Sequence, residues 1–366
     1  RWFLRLNSMI NPFFVRRKAT EGVGYFLAGD DNDGWISRFS INDLQSHPVK
    51  YYVKNIPPEY RTSILAAFEN WNVELRGILG HDLLSYEILE EEDPRYNQIV
   101  AGDVRYNVLE WDLDNLAPYG GFGPSLKNSL SGEVMAAQTL IQGPTVVQIY
   151  KAWFKVKEES KTLLAANHVA EAKALEKNFL RQIIDRFQRS QKSAHLQMKI
   201  GNLEFTIPSQ DPRMRDPLIV DPMDYLEIPE GYTYETYMDG YLRDMTAHEL
   251  GHNLGLRHNF RGNFGDTGTM LVGSVSRSVM EYLPRTHRHL DRVGPYDVMA
   301  ISYGYLGTMP QHLDWFCTDE DQSLISYKNS AECTNADATN DPVAFFESRI
   351  NRGLDLLLAR GSDEAP

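Results

Sequence analysis

Few basic residues, few cysteines and no long apolar run characterise this sequence, and each shortage argues against a class of protein. Its 37 lysines and arginines face 50 acidic residues, for a formal charge of −13. That charge opposes binding to polyphosphate and to anionic membrane surfaces, so we expect no nucleic-acid partner. No apolar stretch approaches the roughly 20 residues that a transmembrane helix needs, and even the run at residues 354–359 is far too short. We therefore expect no transmembrane segment in this chain.

The scarcity of cysteine and the lack of a leader bear on compartment and processing. The only two cysteines, Cys317 and Cys333, lie close together near the C-terminus in polar, turn-prone sequence. We favour a disulfide between them, which would tie a loop-rich tail and imply an oxidising compartment. Two unrelated buried thiols are the alternative, and they would imply nothing. No basic-then-apolar leader follows Arg1, so we expect the sequence to start inside a longer precursor or after processing.

The sequence does contain enough apolar material for a sizeable core, because 42% of its 366 residues are hydrophobic. Apolar periodicity and turn clusters predict both strands and amphipathic helices. The predicted strands are residues 24–27, 35–40, 49–53, 83–89, 104–111 and 132–141, and the predicted helices are 58–79, one or two within 145–192, and one from about 233. The glycine run at 120–123 is interpreted as a loop. The acidic turn at 29–34 is interpreted as a plain turn, because its carboxylates lack EF-hand spacing.

One segment carries chemistry: TAHELGHNLGLRH matches HExxHxxGxxH at every specified position. On a helix, His248 and His252 are one turn apart on the same side, so two imidazoles can share one ion. Glu249 lies about 100° round the axis from His248, which places its carboxylate beside the metal rather than on it. Gly255 has no Cβ and can end the helix in a left-handed conformation. His258 can then reach the metal as a third ligand.

This ligand set predicts an open, catalytic zinc site. Three protein ligands leave the fourth tetrahedral position for water or a substrate carbonyl, whereas structural zinc is more typically closed by four ligands, often thiolates. The segment contains no cysteine. With ten histidines and 26 glycines in the chain, the three histidines and the glycine would fall at these offsets by chance roughly 0.0005 times per chain. Packed helix histidines with an unrelated loop histidine are the disfavoured alternative.

Two later segments extend the motif into a family resemblance. SVMEY at residues 278–282 matches the SxMxY turn that lies beneath the metal in metzincins, and YDVMAISYGY at 296–305 looks like the C-terminal helix of that clan. Over about residues 49–310 the sequence resembles the metzincin clan. Within the clan it most resembles a bacterial family of large zinc-dependent peptidases called met-zincins.

The resemblance implies an α+β fold of the zincin-like, metzincin type. A twisted mixed sheet, an active-site helix and a Met-turn are expected, with a helical insertion at about residues 145–192. We divide the chain into an N-terminal β extension at 1–45, a zinc metallopeptidase domain at 46–310 and a C-terminal tail at 311–366, which holds the possible disulfide.

The resemblance also implies roles for single residues. Met280 would form the hydrophobic floor under the histidines, and the hydroxyl of Tyr282 would approach the metal and help to stabilise the oxyanion. Asn259 departs from several metzincin subfamilies, which carry an acidic residue there, so the chain is not assigned to them. Neither cysteine precedes the catalytic helix, which leaves no candidate for cysteine-switch latency. Metzincins bind substrate along an edge strand, and we assign that strand to residues 132–141.

We therefore predict a zinc-dependent endopeptidase that hydrolyses peptide bonds in a protein or peptide substrate. Glu249 would act as general base, and an extracellular or periplasmic bacterial location is expected. Two alternatives remain: a catalytically silent metzincin-like binding module, and a zinc hydrolase of a non-peptide amide. The intact Glu249 and the complete ligand set argue against the silent module.

Overall fold

The computed structural model describes residues 11, 13–28, 34–40, 48–113, 120–193, 196–200, 203–207, 231–263, 275–283, 292–322 and 333. Its strands are β1 (Val49–Lys54), β2 (Leu84–Leu89), β3 (Asn107–Trp111), β4 (Gly121–Phe122), β5 (Ser125–Lys127), β6 (Val134–Ile141), β7 (Leu196–Ile200) and β8 (Leu203–Ile207). Its α-helices are α1 (Pro58–Leu79), α2 (Gly143–Ala165), α3 (Val169–Ser193), α4 (Tyr234–Asn253) and α5 (Pro295–Ile301). A π-helical turn, Ser302–Leu306, continues α5, and a 3-10 turn, Asp319–Gln322, follows later.

The larger sheet is mixed and has an antiparallel border. Its order is β2-β1-β3-β6-β4, with β5 also paired to β6. The pairs β1–β2, β1–β3 and β3–β6 are parallel, whereas β4 and β5 run antiparallel to β6. Parallel neighbours need a crossover connection, and α1 supplies the one between β1 and β2. The predicted α+β fold is confirmed.

The strand that we assigned to the substrate is an interior strand, so that assignment was wrong. In β6, Thr139 pairs with Leu109 of β3 on one side, and Ala136 pairs with Leu126 of β5 on the other. Neighbouring strands therefore occupy both sides of β6. The apolar alternation of this segment indicated a strand, but such a pattern does not distinguish an interior strand from a border strand.

Helix α1 forms because apolar residues recur at helical spacing between clear end signals. Phe68, Trp71 and Leu75 are at most 1% exposed. A proline occupies the first turn, and Gly80 ends the helix at a φ of 79°. The indole Nε1 of Trp71 donates to the carbonyl oxygen of Ala247 at 3.0 Å. This hydrogen bond ties α1 to the helix that carries the histidine motif.

The C-terminal end of α4 is fixed to the sheet by one buried amide, that of Asn253. Its Oδ1 accepts hydrogen bonds from Thr139 Oγ1 at 2.7 Å and from Tyr51 Oη at 3.1 Å. Its Nδ2 donates to the carbonyl of Gln138 at 3.0 Å. Because Asn253 directly follows a predicted ligand and is fully buried, these bonds set where the end of the motif helix lies above β6.

Two helices, α2 and α3, occupy the segment that we predicted as a helical insertion; they pack against each other, and α2 packs against α4. The rings of Trp153 in α2 and Phe179 in α3 stack at 5.2 Å. Tyr150 of α2 lies 4.9 Å from the ring of Tyr237 in α4. The insertion therefore contacts the N-terminal half of the motif helix, away from the histidines. Strands β7 and β8 pair separately, as an antiparallel hairpin.

The N-terminal segments at residues 24–28 and 34–40 pair in antiparallel fashion through isolated bridges. Tyr25 bridges to Leu256 beyond α4, and Leu27 bridges to Ile36. Residues 29–33 of the acidic turn lie outside the described part of the chain. The domain divisions at residues 45 and 310 stay predictions. In the ranges that the structure describes, no helix has the length and apolar character needed to span a membrane.

Candidate metal centre

Three histidines converge at the C-terminal end of α4. His248 and His252 lie one turn apart on the helix, and His258 follows in the loop after it. One ring nitrogen from each lies within 4.8 Å of the other two, and the Nε2 atoms of His252 and His258 are 3.2 Å apart. Zinc–nitrogen bonds of about 2.05 Å in a tetrahedron would place ligand nitrogens about 3.3 Å apart. The cluster can therefore hold a metal ion after small ring movements.

The hydrogen bonds around the rings leave the inward nitrogens free of hydrogen. Each Nδ1 donates to an oxygen outside the cluster: His248 to the carbonyl of Val279 at 2.7 Å, His252 to the carbonyl of Leu256 at 2.8 Å, and His258 to the carboxylate of Asp319 at 3.0 and 3.1 Å. Such oxygens only accept, so each Nδ1 carries the hydrogen and each Nε2 of a neutral ring presents a lone pair. That is the tautomer in which Nε2 binds a metal.

The close pair of Nε2 atoms itself indicates a cation. Two lone pairs facing each other at 3.2 Å, on His252 and His258, repel unless a proton or a metal ion lies between them. Burial, and then the neighbouring His258, lower the pKa of His252 to about 3. Its ring is therefore neutral at neutral pH, which is the form that coordinates metals.

A glycine allows the chain to turn from α4 toward the third histidine. Gly255 has a φ of +103°, which residues with a Cβ rarely adopt. A Cβ at this position would also lie 1.9 Å from the carbonyl oxygen of Ser37. The turn therefore needs glycine for both its conformation and its contact with the N-terminal segment.

The predicted Met-turn packs directly beneath the motif helix. Met280 is fully buried, and a Cβ at Gly251 would lie 2.2 Å from its Sδ. Gly251 lies between the two helical histidines in sequence, so its missing side chain lets the sulfur approach the helix under them. The backbone N–H of Asn259 donates to the carbonyl of Met280 at 2.9 Å, which joins the ligand loop to the turn.

A buried carboxylate, Asp297, holds the Met-turn in place. Its oxygens accept hydrogen bonds from Ser278 Oγ at 2.6 Å and from the backbone N–H groups of Val279 and Gly294, both at 2.8 Å. Burial raises the pKa of Asp297 to about 7, although these hydrogen bonds act to lower it. Since the carbonyl of Val279 is the acceptor for His248, the Asp297 carboxylate is connected to this histidine through the turn.

Glu249 is almost fully buried, at 4% exposed, and it lies against the glycine run that we interpreted as a loop. A Cβ at Gly121 would lie 2.6 Å from Oε1 of Glu249, and a Cβ at Gly123 would lie 2.9 Å from Oε2. Instead of a loop, the run contains β4, the short border strand. The space that its missing side chains leave is therefore occupied by the Glu249 carboxylate.

The hydroxyl of Tyr282 lies at the inward face of the cluster. Its Oη is 2.6 Å from Nε2 of His258, and the two ring centres are 4.4 Å apart. Because Nδ1 of His258 carries the hydrogen, this hydroxyl donates to Nε2. A polar group thus stands beside the lone pair that would face the metal.

The C-terminal tail is attached to the ligand loop by hydrogen bonds and by a disulfide. Asn259 donates through Nδ2 to the carbonyl of Trp315 at 2.9 Å and accepts through Oδ1 from the N–H of Cys317 at 3.2 Å. The N–H of Phe260 donates to the carbonyl of Cys317 at 2.9 Å. A disulfide joins Cys317 to Cys333. These contacts place the following residues of the tail beside the third histidine.

Residues 232–352 match the sequence model of a family described as Met-zincin. This part of the chain is therefore similar to the met-zincins. It contains the three histidines, the Met-turn and the tail with its disulfide, whereas the described sheet lies before it. Comparisons with curated proteins and with solved structures gave no match.

Three residues around the histidine cluster were not predicted from the sequence: Gly121, Asp297 and Asp319. A signal existed for the first, because Gly121 and Gly123 are two apart, the spacing that places residues on one face of a strand. Asp297 lay within the stretch that resembles the clan's C-terminal helix, where nothing distinguished it from its neighbours. Asp319 belongs to an acidic run, which is usually a solvated surface.

Proposed function

We propose that this protein is a zinc-dependent endopeptidase. The observation that carries the proposal is the convergence of three ring nitrogens, each prepared for coordination by an outward hydrogen bond from the other nitrogen of its ring. Nitrogen-only donors in a set of three suit zinc and leave a coordination position open. Glu249, one residue from the first ligand, adds the base that peptide hydrolysis needs.

The chain's own groups then move the protons. With zinc bound, the site gains Lewis-acid activation of water and of a substrate carbonyl. A carboxylate oxygen of Glu249 would accept the proton of that water and deliver it to the departing amine nitrogen. Tyr282, through its Oη, would donate a hydrogen bond to the oxyanion that develops on the carbonyl oxygen, a contribution of about 3 kcal/mol for a single donor in comparable sites.

We propose that the substrate peptide lies along β4 and β5, which form the antiparallel border of the sheet. This border takes the substrate-binding role that we had assigned to β6. Glu249 touches Gly121 of β4, so a strand added to this border would pass the catalytic carboxylate. Main-chain hydrogen bonding of an extended peptide accepts many sequences, and side-chain preference comes from neighbouring apolar groups. Phe122 and Leu126 on this border are 42% and 36% exposed and are suited to contact apolar substrate side chains.

The disulfide supports an extracellular or periplasmic location as part of the same proposal. Disulfides persist in oxidising compartments and are rare in the reducing cytosol. A peptidase stabilised by the Cys317–Cys333 bond would act on peptides in that compartment.

Replacing Glu249 by Gln tests the function. We expect E249Q to retain one zinc per chain but to lose at least about 100-fold in casein or fluorogenic-peptide hydrolysis, because the base is removed while the ligands remain. Metal analysis and the protease assay, each with and without a chelator, give the two readouts. E235Q is the matched control, since Glu235 is exposed on the first turn of the same helix, and it should match the wild type.

The assay also separates the two alternatives. A wild-type protein that holds zinc but cleaves no peptide, with no difference from E249Q, would be a binding module. A wild-type protein that hydrolyses only non-peptide amides in a substrate library, in a manner that depends on Glu249, would be an amidohydrolase. Either result would reject the endopeptidase proposal.

A further inference from the structure

We propose that Asp319, in the C-terminal tail, is a positioning residue for the third metal ligand and raises the affinity of the site for zinc. The inference rests on the zinc site of the proposed function. It adds a group that lies 61 residues beyond the HExxHxxGxxH motif, outside the segment that supplies the ligands.

The geometry around His258 carries this inference. Both carboxylate oxygens of Asp319 lie within hydrogen-bond distance of Nδ1, at 3.0 and 3.1 Å. His248 and His252 donate from Nδ1 to backbone carbonyls instead. Among the Nδ1 hydrogen bonds that the structure describes for these rings, that of His258 therefore has a charged acceptor. A carboxylate that accepts from the far nitrogen fixes the ring orientation and makes the metal-facing nitrogen a stronger donor.

His258 needs such a partner more than the helical ligands do. His248 and His252 are held by α4, whereas His258 lies in the loop beyond Gly255 and its side chain is 18% exposed. Without an external acceptor, rotation about its side-chain bonds would turn Nε2 away from the cluster. The hydrogen bond to Asp319 therefore positions His258, which no helix holds in place.

Contacts between the tail and the loop after α4 hold the Asp319 carboxylate beside His258. Asn259 and Phe260, the two residues after the third ligand, bind the backbone of Trp315 and Cys317. The 3-10 turn then begins at Asp319. Thr318 Oγ1 donates to Oδ2 of Asp319 at 3.3 Å. The position of Asp319 is thus set by the same loop whose histidine it orients.

A neighbouring acidic residue provides an internal comparison. Glu320 pairs with the guanidinium of Arg257, and the structure shows no hydrogen bond from it to the described ligand histidines. Arg257 also lies 3.7 Å from Oδ2 of Asp319. Removing the charge of Glu320 therefore changes the local charge as much as removing that of Asp319, but it leaves the Nδ1 hydrogen bond intact.

The test measures the zinc dissociation constant of the full chain by competition with a chromogenic chelator at pH 7.5. We expect D319A to weaken zinc binding by about 10-fold to 100-fold, the usual effect of losing such a partner. D319N keeps one oxygen acceptor and should recover part of that loss. E320Q should bind zinc within about two-fold of the wild type, and circular dichroism of the metal-free forms should show the same fold for all variants.

A dissociation constant for D319A within two-fold of the wild type would overturn the inference. So would an E320Q loss as large as that of D319A, because the effect would then be one of general charge. These outcomes can be distinguished from a failure of the proposed function. If zinc binding depends on Asp319 but the protein cleaves no peptide, only the endopeptidase proposal is rejected.

Discussion

At the scale of single residues, the shape of the site depends on glycines, which leave room for neighbouring side chains. Oε1 of Glu249 lies 2.6 Å from the position that a Cβ on Gly121 would take, and Sδ of Met280 lies 2.2 Å from the position that a Cβ on Gly251 would take. The missing side chain of Gly121 lets the Glu249 carboxylate approach β4. The missing side chain of Gly251 lets the Met280 sulfur approach α4. Neither contact requires glycine for its backbone angle, so each can be tested by adding one methyl group.

Adding a methyl group at Gly121 should disable the base while leaving the ligands. In G121A the new Cβ would lie 2.6 Å from Oε1 of Glu249, so either the carboxylate or β4 must move. A displacement of about 1 Å in a catalytic group can cost about 100-fold in rate. We expect kcat/KM to fall at least 10-fold and zinc content to stay at the wild-type level.

The matched control is G77A, in α1, where nothing lies within 4 Å of the new Cβ. Alanine in a helix is favoured over glycine by about 1 kcal/mol, so G77A should be as active as the wild type and slightly more stable. Full activity in G121A would show that Glu249 does not need its present position.

At the scale of elements, α4 is fixed at its end and α5 is fixed at its start. Asn253 bonds the end of α4 to the sheet. Asp297, in the first turn of α5, accepts from the N–H of Gly294 just before that helix. The same carboxylate binds the Met-turn, so the distance between the ligand helix and the turn depends on one buried acid.

The buried acid should make stability depend on pH. Its folded-state pKa is raised from 3.8 to about 7, mainly by burial, so the folded state binds this proton more tightly than the unfolded state. The resulting stabilisation is fully present below about pH 4 and is lost as the pH rises through 7. A shift of about 3 units corresponds to on the order of 4 kcal/mol.

Replacing Asp297 by Asn removes this pH dependence of stability and replaces one hydrogen-bond acceptor oxygen by an N–H₂ group. We expect D297N to be less stable than the wild type by about 1 to 3 kcal/mol at pH 4, because its amide N–H₂ faces a backbone donor. That deficit should disappear and then reverse as the pH rises toward 7, because the wild type loses on the order of 4 kcal/mol over that range. Urea unfolding of metal-free protein between pH 4 and 7.5 measures it, and a deficit that stays constant with pH would contradict the assignment.

The elements also show which parts of this fold can be predicted from sequence. The helix at Pro58–Leu79 has a proline start, a glycine end and a regular apolar stripe, so its limits followed from local signals. The relative positions of the three histidines likewise followed from the spacing within their motif. In contrast, β4 has two residues and exists only because Gly121 and Phe122 pair with the end of β6. No local pattern marks a strand that depends on a partner from elsewhere in the chain.

The carboxylates around the site illustrate the same limit. Asp297 and Asp319 carry no motif of their own, and their roles depend on hydrogen bonds to residues 18 and 61 positions away. Sequence spacing predicts contacts within a helix or a strand, but it does not predict contacts made by a returning loop. The convergence of the three histidines was therefore predictable from sequence, whereas the residues that orient their rings were not.

At the scale of the whole molecule, both ends of the described chain meet at the ligand loop. The N-terminal segment bridges to it through Tyr25 and Leu256, and the N–H of Arg257 donates to the carbonyl of Gly24. The tail reaches it from the other direction through Trp315 and its neighbours. Contacts with both segments therefore hold the loop that carries His258.

The disulfide should couple the stability of the tail to metal binding. It closes a loop between residues 16 positions apart, and a loop of that length is expected to stabilise the folded state by about 3 kcal/mol. In C317S/C333S the tail can detach more easily, and Asp319 leaves with it. We expect lower stability of the metal-free protein in urea, and zinc binding that weakens by no more than it does in D319A.

Combining the changes distinguishes this coupling from general destabilisation. If the disulfide acts on zinc through Asp319, the variant C317S/C333S/D319A should bind zinc as D319A does, because the two changes remove the same hydrogen bond and are not additive. Two independent effects would instead multiply, so the combined variant would bind zinc more weakly than either parent. Chelator competition on the four proteins measures both outcomes. A multiplicative loss would show that the tail contributes to the site by a route other than the carboxylate on His258.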